Sequence, residues 1–182
     1  MVGGQAGQDV PDGRRAWFEL MRVGIGLGSN VGDRSNELAL ARRWLRSMDP
    51  SAKFSSEYET EPVGCAPGTS GFRNQAAEIL WRGSLENLLQ SLQDYERSRG
   101  RKTVRGVNEP RALDLDILYA GNVKVRTGRM EIPHPRMAVR RFVLEPLAEI
   151  CPERRIPGLP GTVGESVRWL RAKGRSVCRR IG

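Results

Sequence analysis

The sequence predicts an α+β fold with a ferredoxin-like βαββαβ core, a mainly antiparallel sheet and additional C-terminal helices. Three observations carry this expectation. Four short apolar segments, near 23–29, 54–58, 72–80 and 113–119, read as strands. Two stretches with apolar residues at helical spacing separate the first strand from the second and the third from the fourth. A length of 182 residues, with no repeat and no compositional break, suits one domain with a real core.

Residues 1–20 are Gly-rich and polar, with Trp17-Phe18 as an isolated apolar spot, and are expected to be a disordered extension before a single domain over 21–182. The first strand, 23–29, alternates Val, Ile and Leu with Gly24, Gly26 and Gly28. It is not a dinucleotide fingerprint. Gly-x-Gly-x-x-Gly fails, because Ser29 follows Gly26 by three residues and Val31 follows Gly28 by three. The glycines suit close backbone approach at a strand end. Asp33 is placed to cap a helix bearing Leu38, Ala41, Trp44, Leu45 and Met48, which Asp49-Pro50 ends. A second strand over 54–58 precedes a Pro/Gly/Ser-rich loop at 61–71, and a third strand covers 72–80. Ser84 caps a second helix over about 85–99, with Leu85, Leu88, Leu89, Leu92 and Tyr95 on its apolar face. Residues 100–110 form a long basic loop with Arg101, Lys102 and Arg105.

The fourth strand follows, Leu113-Asp114-Leu115-Asp116-Ile117-Leu118. Residues i and i+2 of a strand share a face, roughly 6.5–7 Å apart. Asp114 and Asp116 therefore repel unless a positive group joins them or one is protonated. A divalent cation is the natural partner, and Mg²⁺ is commonly held by one or two carboxylates plus substrate phosphates. Arg111, just upstream, suits a phosphate. The bland alternative is an edge strand with an acidic solvent face. In the expected strand order the first and last core strands lie side by side at the sheet centre, which favours a site. Beyond it, Gly121-Asn122 signals a turn into a possible hairpin. The segment 132–135, Ile-Pro-His-Pro, reads as rigid and extended, 138–148 as a helix interrupted by Pro146, and 163–172 as a last amphipathic helix.

Composition bounds the partners. Charged residues are 28% and hydrophobic ones 38%, and no apolar run approaches the ~20 residues of a membrane span. Cys65, Cys151 and Cys178 are isolated and there is a single histidine, so zinc is not expected and a cytoplasmic setting fits. The net charge of +9 is inflated by Arg168, Arg171, Lys173, Arg175, Arg179 and Arg180, which follow the last acid, Glu165. That tail is expected to be a solvated helix and frayed end. A basic RNA-binding sheet would need aromatic residues on its central strands, where this chain has glycines and two acids.

Several ordered blocks together resemble one family. They are Gly-Leu-Gly-Ser-Asn at 26–30, Tyr58-x-Thr60 with Pro62-Val63-Gly64, Phe72-x-Asn74-x-Ala76, Glu96 with Gly100-Arg101, Pro110 to Leu118, and Ile132 to Met137 with Arg140 and Phe142. The chain resembles 6-hydroxymethyl-7,8-dihydropterin pyrophosphokinase of folate biosynthesis. The resemblance implies transfer of pyrophosphate from ATP to the hydroxymethyl group of the reduced pterin, with release of AMP. It implies that Asp114 and Asp116 hold two Mg²⁺ ions and that ATP is the co-substrate. Arg101 and Arg111 would clamp phosphates and act in catalysis, and His134 and Arg140 would bind the polyphosphate. Glu96 would touch the nucleotide or pair with a loop arginine. Phe72 and Phe142 would sandwich the pterin, while Thr60, Asn74 and the backbone near Val63 read its edge. Without the resemblance, His134 reads as a surface histidine and the two phenylalanines as core. Asn108-Glu109 stands where the family usually has Trp-Gly in a closing loop, which motivates a second reading: a relative that binds pterin or nucleotide with weak or altered activity. A monomer with no nucleic-acid or membrane partner is the default expectation.

Overall fold

The computed structural model describes residues 20–61, 71–100, 111–174 and 178–181. Among them the chain order is β1 (Met21–Ser29), α1 (Arg34–Met48), β2 (Lys53–Phe54), β3 (Glu57–Thr60), β4 (Phe72–Trp81), α2 (Leu85–Ser98), β5 (Asp114–Ala120), β6 (Val125–Arg126), β7 (Glu131–Ile132), a 3-10 turn (Met137–Val139), α3 (Arg141–Ile150), α4 (Val163–Ala172) and β8 (Cys178–Ile181). The main sheet runs β5-β1-β4-β3-β8, with β2 beside β4, and every pairing in it is antiparallel. The fold is thus mixed α/β, with four α-helices on an antiparallel sheet.

Local chemistry sets the helix starts as expected. The Asp33 side chain accepts from Asn36 N–H at 3.1 Å, and Ser84 Oγ accepts from Asn87 N–H at 3.1 Å. Thr162 and Glu165 form a reciprocal capping box on α4. Pro146 sits inside α3 without ending it; its missing N–H leaves one intrahelical bond unmade.

Alternation along β1 sorts the molecule into three layers. Val23, Ile25 and Leu27 are buried against Leu38, Ala41 and Leu45 of α1 and Leu85, Leu88 and Leu92 of α2. The opposite face carries the glycines, where Ala76, Leu118 and Tyr119 pack with Leu144 and Leu147 of α3 and Val163, Val167 and Leu170 of α4. Asp114, Asp116 and Leu118 of β5 lie beside β1 on this face. A Cβ on Gly24 would stand 2.1 Å from the buried Tyr119 ring, so only glycine fits there.

Three expectations are corrected. The strand 113–119 does lie beside β1, but β5 is an outer strand of the sheet order, because β1 gives its other side to β4 over its whole length. The outer edge of β5 is not left bare. Leu115 N–H donates to Glu96 Oε1 at 2.8 Å, and Leu118 C=O accepts from His134 N–H at 2.8 Å. The second strand divides into β2 and β3, since Ser55 between them bonds Ala76 through both its N–H and its Oγ. The basic tail is not simply frayed: β8 adds to β3, setting Arg179 against Glu59 and Arg180 against Tyr58. Arg180 Nε also lies 3.0 Å from a Glu149 oxygen and 2.9 Å from Ser56 Oγ. Opposite charge across the register supplies a pairing signal that apolar periodicity lacks.

The Gly24 contact is testable. Gly24→Ala is expected to lower the unfolding free energy by about 1–3 kcal/mol, the usual cost of overpacking a core, measured by urea denaturation.

Candidate active site

Asp114 and Asp116 stand in register with Gly28 and Gly26 of β1, and those glycines stand in register with Asn74 and Ala76 of β4. Directly opposed residues of an antiparallel pair share a face. Asp114 and Asn74 therefore look at each other across bare Gly28, while the Leu118 side chain leans over Gly26, 3.3 Å from where its Cβ would be. Asn74 Oδ1 sits 3.5 Å from where a Gly28 Cβ would be, and the Asp114 Cβ sits 3.9 Å from it. Asn74 Nδ2 donates to Thr60 Oγ1 at 2.8 Å, with both side chains buried, and Thr60 is paired with Phe72. Thr60, Phe72 and Asn74 thus form one continuous patch beside the acid pair.

Arg111 is fixed from two directions. Its N–H donates to Asn30 Oδ1 at 2.8 Å, and its C=O accepts from Asn30 N–H at 3.2 Å. Its guanidinium Nη1 lies 2.6 Å from Asp114 Oδ1. The positive group that the acid pair demanded is supplied, in part, by the protein itself. Asn30 was not singled out as a site residue; its signal was its place at the end of the Gly-Leu-Gly-Ser-Asn block.

His134 and Arg140 approach from the segment after β7. Burial pushes the His134 pKa below the ordinary 6.5, helped by Arg140 and Arg136, while Asp114 acts in the other direction. Burial also lowers the Arg140 pKa, with Arg136 adding to the effect and Asp116 and Asp114 opposing it. Arg140 therefore feels both acids, and His134 feels Asp114. His134 Nδ1 accepts the Arg136 N–H at 3.2 Å, so the neutral ring carries its proton on Nε2, free to be donated. The Arg140 guanidinium lies 5.3 Å from the centre of the Phe142 ring. Arg136 is a cation that sequence reasoning missed, although it stands two residues from His134. A cleft of about 330 Å³ borders His134, Pro133 and Ile132, with Lys124 and Arg126 on its rim.

Glu96 is fully buried, and its Oε1 takes the N–H of Leu115, the residue between the two acids. It holds the strand from the outside. Phe72 and Phe142 are half-buried, Phe142 at the start of α3. Arg101 and Val63, and with them Asn108-Glu109, lie outside the described residues.

The carboxylate pair suits a hard divalent cation that completes its shell with substrate oxygens. Among the described residues no cluster of three or more His, Cys, Asp or Glu offers an all-protein metal cage. No described helix is long and apolar enough to cross a membrane.

The His134 environment makes a pH prediction. Its folded pKa is depressed, so the unfolded chain binds more protons as pH falls through the ordinary 6.5. Stability is fully present above that pH and declines below it. His134→Gln is expected to flatten this acid-side slope, read by comparing urea midpoints at acidic and neutral pH.

Residues 24–152 match the family model described as 7,8-dihydro-6-hydroxymethylpterin-pyrophosphokinase (HPPK). The chain is 43% identical over 130 residues to 2-amino-4-hydroxy-6-hydroxymethyldihydropteridine pyrophosphokinase of Bacillus subtilis (strain 168), covering 70% of this chain and 76% of that one. It is 35% identical over 134 residues to the Porphyromonas gingivalis (strain W83) protein of the same name, covering 71% and 90%. The match to the folate synthesis bifunctional protein of Arabidopsis thaliana, at 38% identity over 129 residues, covers 70% of this chain and 26% of that larger protein. The fold is similar to that of Plasmodium falciparum HPPK-DHPS crystallised with pteroate, at a TM-score of 0.63 and 13% identity, covering 86% of this chain and 44% of that one. With its glycine floor and paired acids inside the matched span, the chain belongs to the 7,8-dihydro-6-hydroxymethylpterin-pyrophosphokinase family.

Proposed function

We propose that this protein transfers pyrophosphate from ATP to the hydroxymethyl group of 6-hydroxymethyl-7,8-dihydropterin, releasing AMP, as a step of folate biosynthesis. The observation that carries the reading is the acid pair Asp114/Asp116 on a glycine floor, ringed by Arg111, His134 and Arg140, in a chain of this family. The strand order with helices α1 and α2 on one face supports reading the core as ferredoxin-like.

Asp114 and Asp116 would hold Mg²⁺, two ions in the finer reading. When bound, the metal neutralises phosphate charge and helps align the pterin hydroxyl for in-line attack at the β-phosphorus. The chain's own groups do the rest. Arg140 and the Nε2–H of His134 bind polyphosphate oxygens as charged and neutral donors. Arg111, and Arg101 from the basic loop, clamp the phosphates. Phe72 and Phe142 supply the apolar faces that a flat pterin needs. Asn74 and Thr60 read its edge with the backbone near Val63: the Asn74 Nδ2 bond to Thr60 leaves Oδ1 to accept from the ring. Glu96 serves the nucleotide side by holding the strand on which both acids sit. The protein acts in this reading as a cytoplasmic monomer on two small substrates, without a nucleic-acid or membrane partner. Two acids on the face that carries the site would repel a phosphate backbone.

The Asn108-Glu109 pair favours a second reading, in which pterin and nucleotide bind but turnover is slow or the hydroxymethyl substrate differs. One assay separates the two. Protein, ATP, Mg²⁺ and the dihydropterin are expected to give AMP. Asp116→Asn is expected to lower kcat by roughly two to three orders of magnitude, the scale for losing one preorganised charged partner. Pterin binding without AMP release would leave the second reading standing.

A further inference from the structure

Helix α3 carries Phe142, one of the two aromatic faces proposed for the pterin, and the helix is weak where that ring is attached. Pro146 has no N–H, so the Phe142 carbonyl lacks the bond from residue 146 that would close this turn. We infer that Arg171 and Arg180 are positioning residues for the pterin pocket: they tie α3 down on either side of Pro146 and so fix where the Phe142 ring stands. The inference rests on reading Phe142 as a pterin contact. Both arginines lie outside residues 24–152, the span matched by the family model.

Three observations carry it. First, Arg171, in the last turn of α4, grips Glu145 with two nitrogens. Its Nε lies 2.8 Å from Oε1, and its Nη2 meets Oε2. Glu145 follows Phe142 by three residues, on the same side of the helix, and its side chain is only 3% exposed. Arg141 shares that carboxylate, with Nη2 2.9 Å from Oε1. Second, Glu149, one turn further on, is met from the sheet side. Ser56 N–H donates to Oε2 at 2.5 Å, the Tyr58 hydroxyl donates to Oε1 at 3.0 Å, and Arg180 Nε lies 3.0 Å from Oε1. Third, the sheet register carries this tie into the site. Arg180 stands opposite Tyr58, Tyr58 opposite Asn74, and Asn74 opposite Gly28. Cys178 of the same strand stands opposite Thr60. The C-terminal strand thus holds both β3, whose Thr60 is proposed to read the pterin edge, and α3, whose Phe142 is proposed to cover its face.

The groups proposed for the nucleotide hang on a different set of contacts. His134 N–H is held by Leu118 and Arg140 N–H by Met137. Loosening the two arginine ties therefore loosens the grip on pterin and leaves ATP nearly as it was. Small displacements suffice, since a misplacement of about 1 Å at a binding group is costly.

The test separates the two substrates. KM for the dihydropterin is measured at saturating ATP. Its dissociation constant is measured by calorimetry with Mg²⁺ and a non-hydrolysable ATP analogue. Arg171→Met is expected to raise both constants roughly three- to tenfold, the scale of losing one charge-assisted contact. KM for ATP and kcat should stay within about twofold, the pattern of lost substrate binding. Arg180→Met should act in the same direction by less, because Glu149 stands farther from Phe142. Arg171→Lys, which keeps the charge without the two-pronged contact, should fall between. In a Phe142→Ala background Arg171→Met should add no further loss, because it acts through that ring. A merely structural role gives a lower thermal midpoint with unchanged dihydropterin constants, or the same loss with and without the Phe142 ring. Either result overturns the inference. Where Arg171→Met does not fold, Arg180→Met decides by the same cycle. Failure of the proposed activity shows in the unaltered protein. If that protein binds dihydropterin but releases no AMP, the dissociation constants still decide the inference; if it binds no dihydropterin, both fall.

Discussion

The register between β1 and β5 is the constraint on which the rest depends. Gly26 faces Asp116 and Gly28 faces Asp114, while Leu27 faces Leu115 on the other side of the same strands. One strand pair thereby serves two opposed environments. The leucine side is sealed by α1 and α2 and gives the pair rigidity. On the glycine side the surface stays low at Gly28, so Asp114 looks over β1 toward Asn74 and Thr60, while Leu118 covers Gly26. A slip of one residue would bury both carboxylates under two helices and turn the leucines outward. Burial of that many unpaired charges is expensive enough to make the register self-enforcing.

The outer edge of β5 completes the arrangement. Glu96 and the His134 backbone meet the exposed side of the strand that carries the acids. Edge protection comes from two of the residues proposed for the site. His134 gives its backbone N–H to Leu118 while its ring feels Asp114, and Glu96 grips the peptide between the two aspartates. An outer strand is usually the mobile part of a sheet; here it is held on both sides.

Much of this was legible before any coordinates. Helix starts at Asp33 and Ser84 follow from cap chemistry that acts over three residues. The adjacency of β1 and β5 follows from element order. The position of β5 at the edge does not, because order alone cannot say which strands take both neighbours. β8 was invisible for a different reason: its pairing rests on arginines meeting Glu59 and Glu149, partners far away in sequence. Within the site, the residue types pointed to metal and phosphate, whereas the two-handed grip of Asn30 on Arg111 is a backbone arrangement that no side-chain pattern announces. Arg136 belongs to no side-chain pattern of its own, although its charge reaches both His134 and Arg140.

The pairing of β8 with β3 also bears on how the chain reaches its fold on the ribosome. Glu57–Thr60 is made early, yet the strand that covers its free side comes only after α4. For most of synthesis that side is an open template for another chain's backbone. Glu59, which stands opposite Arg179 in the finished sheet, discourages pairing of this short strand with anything but a basic strand during the wait. The same charge that guards the nascent edge thus favours its eventual arginine-bearing partner.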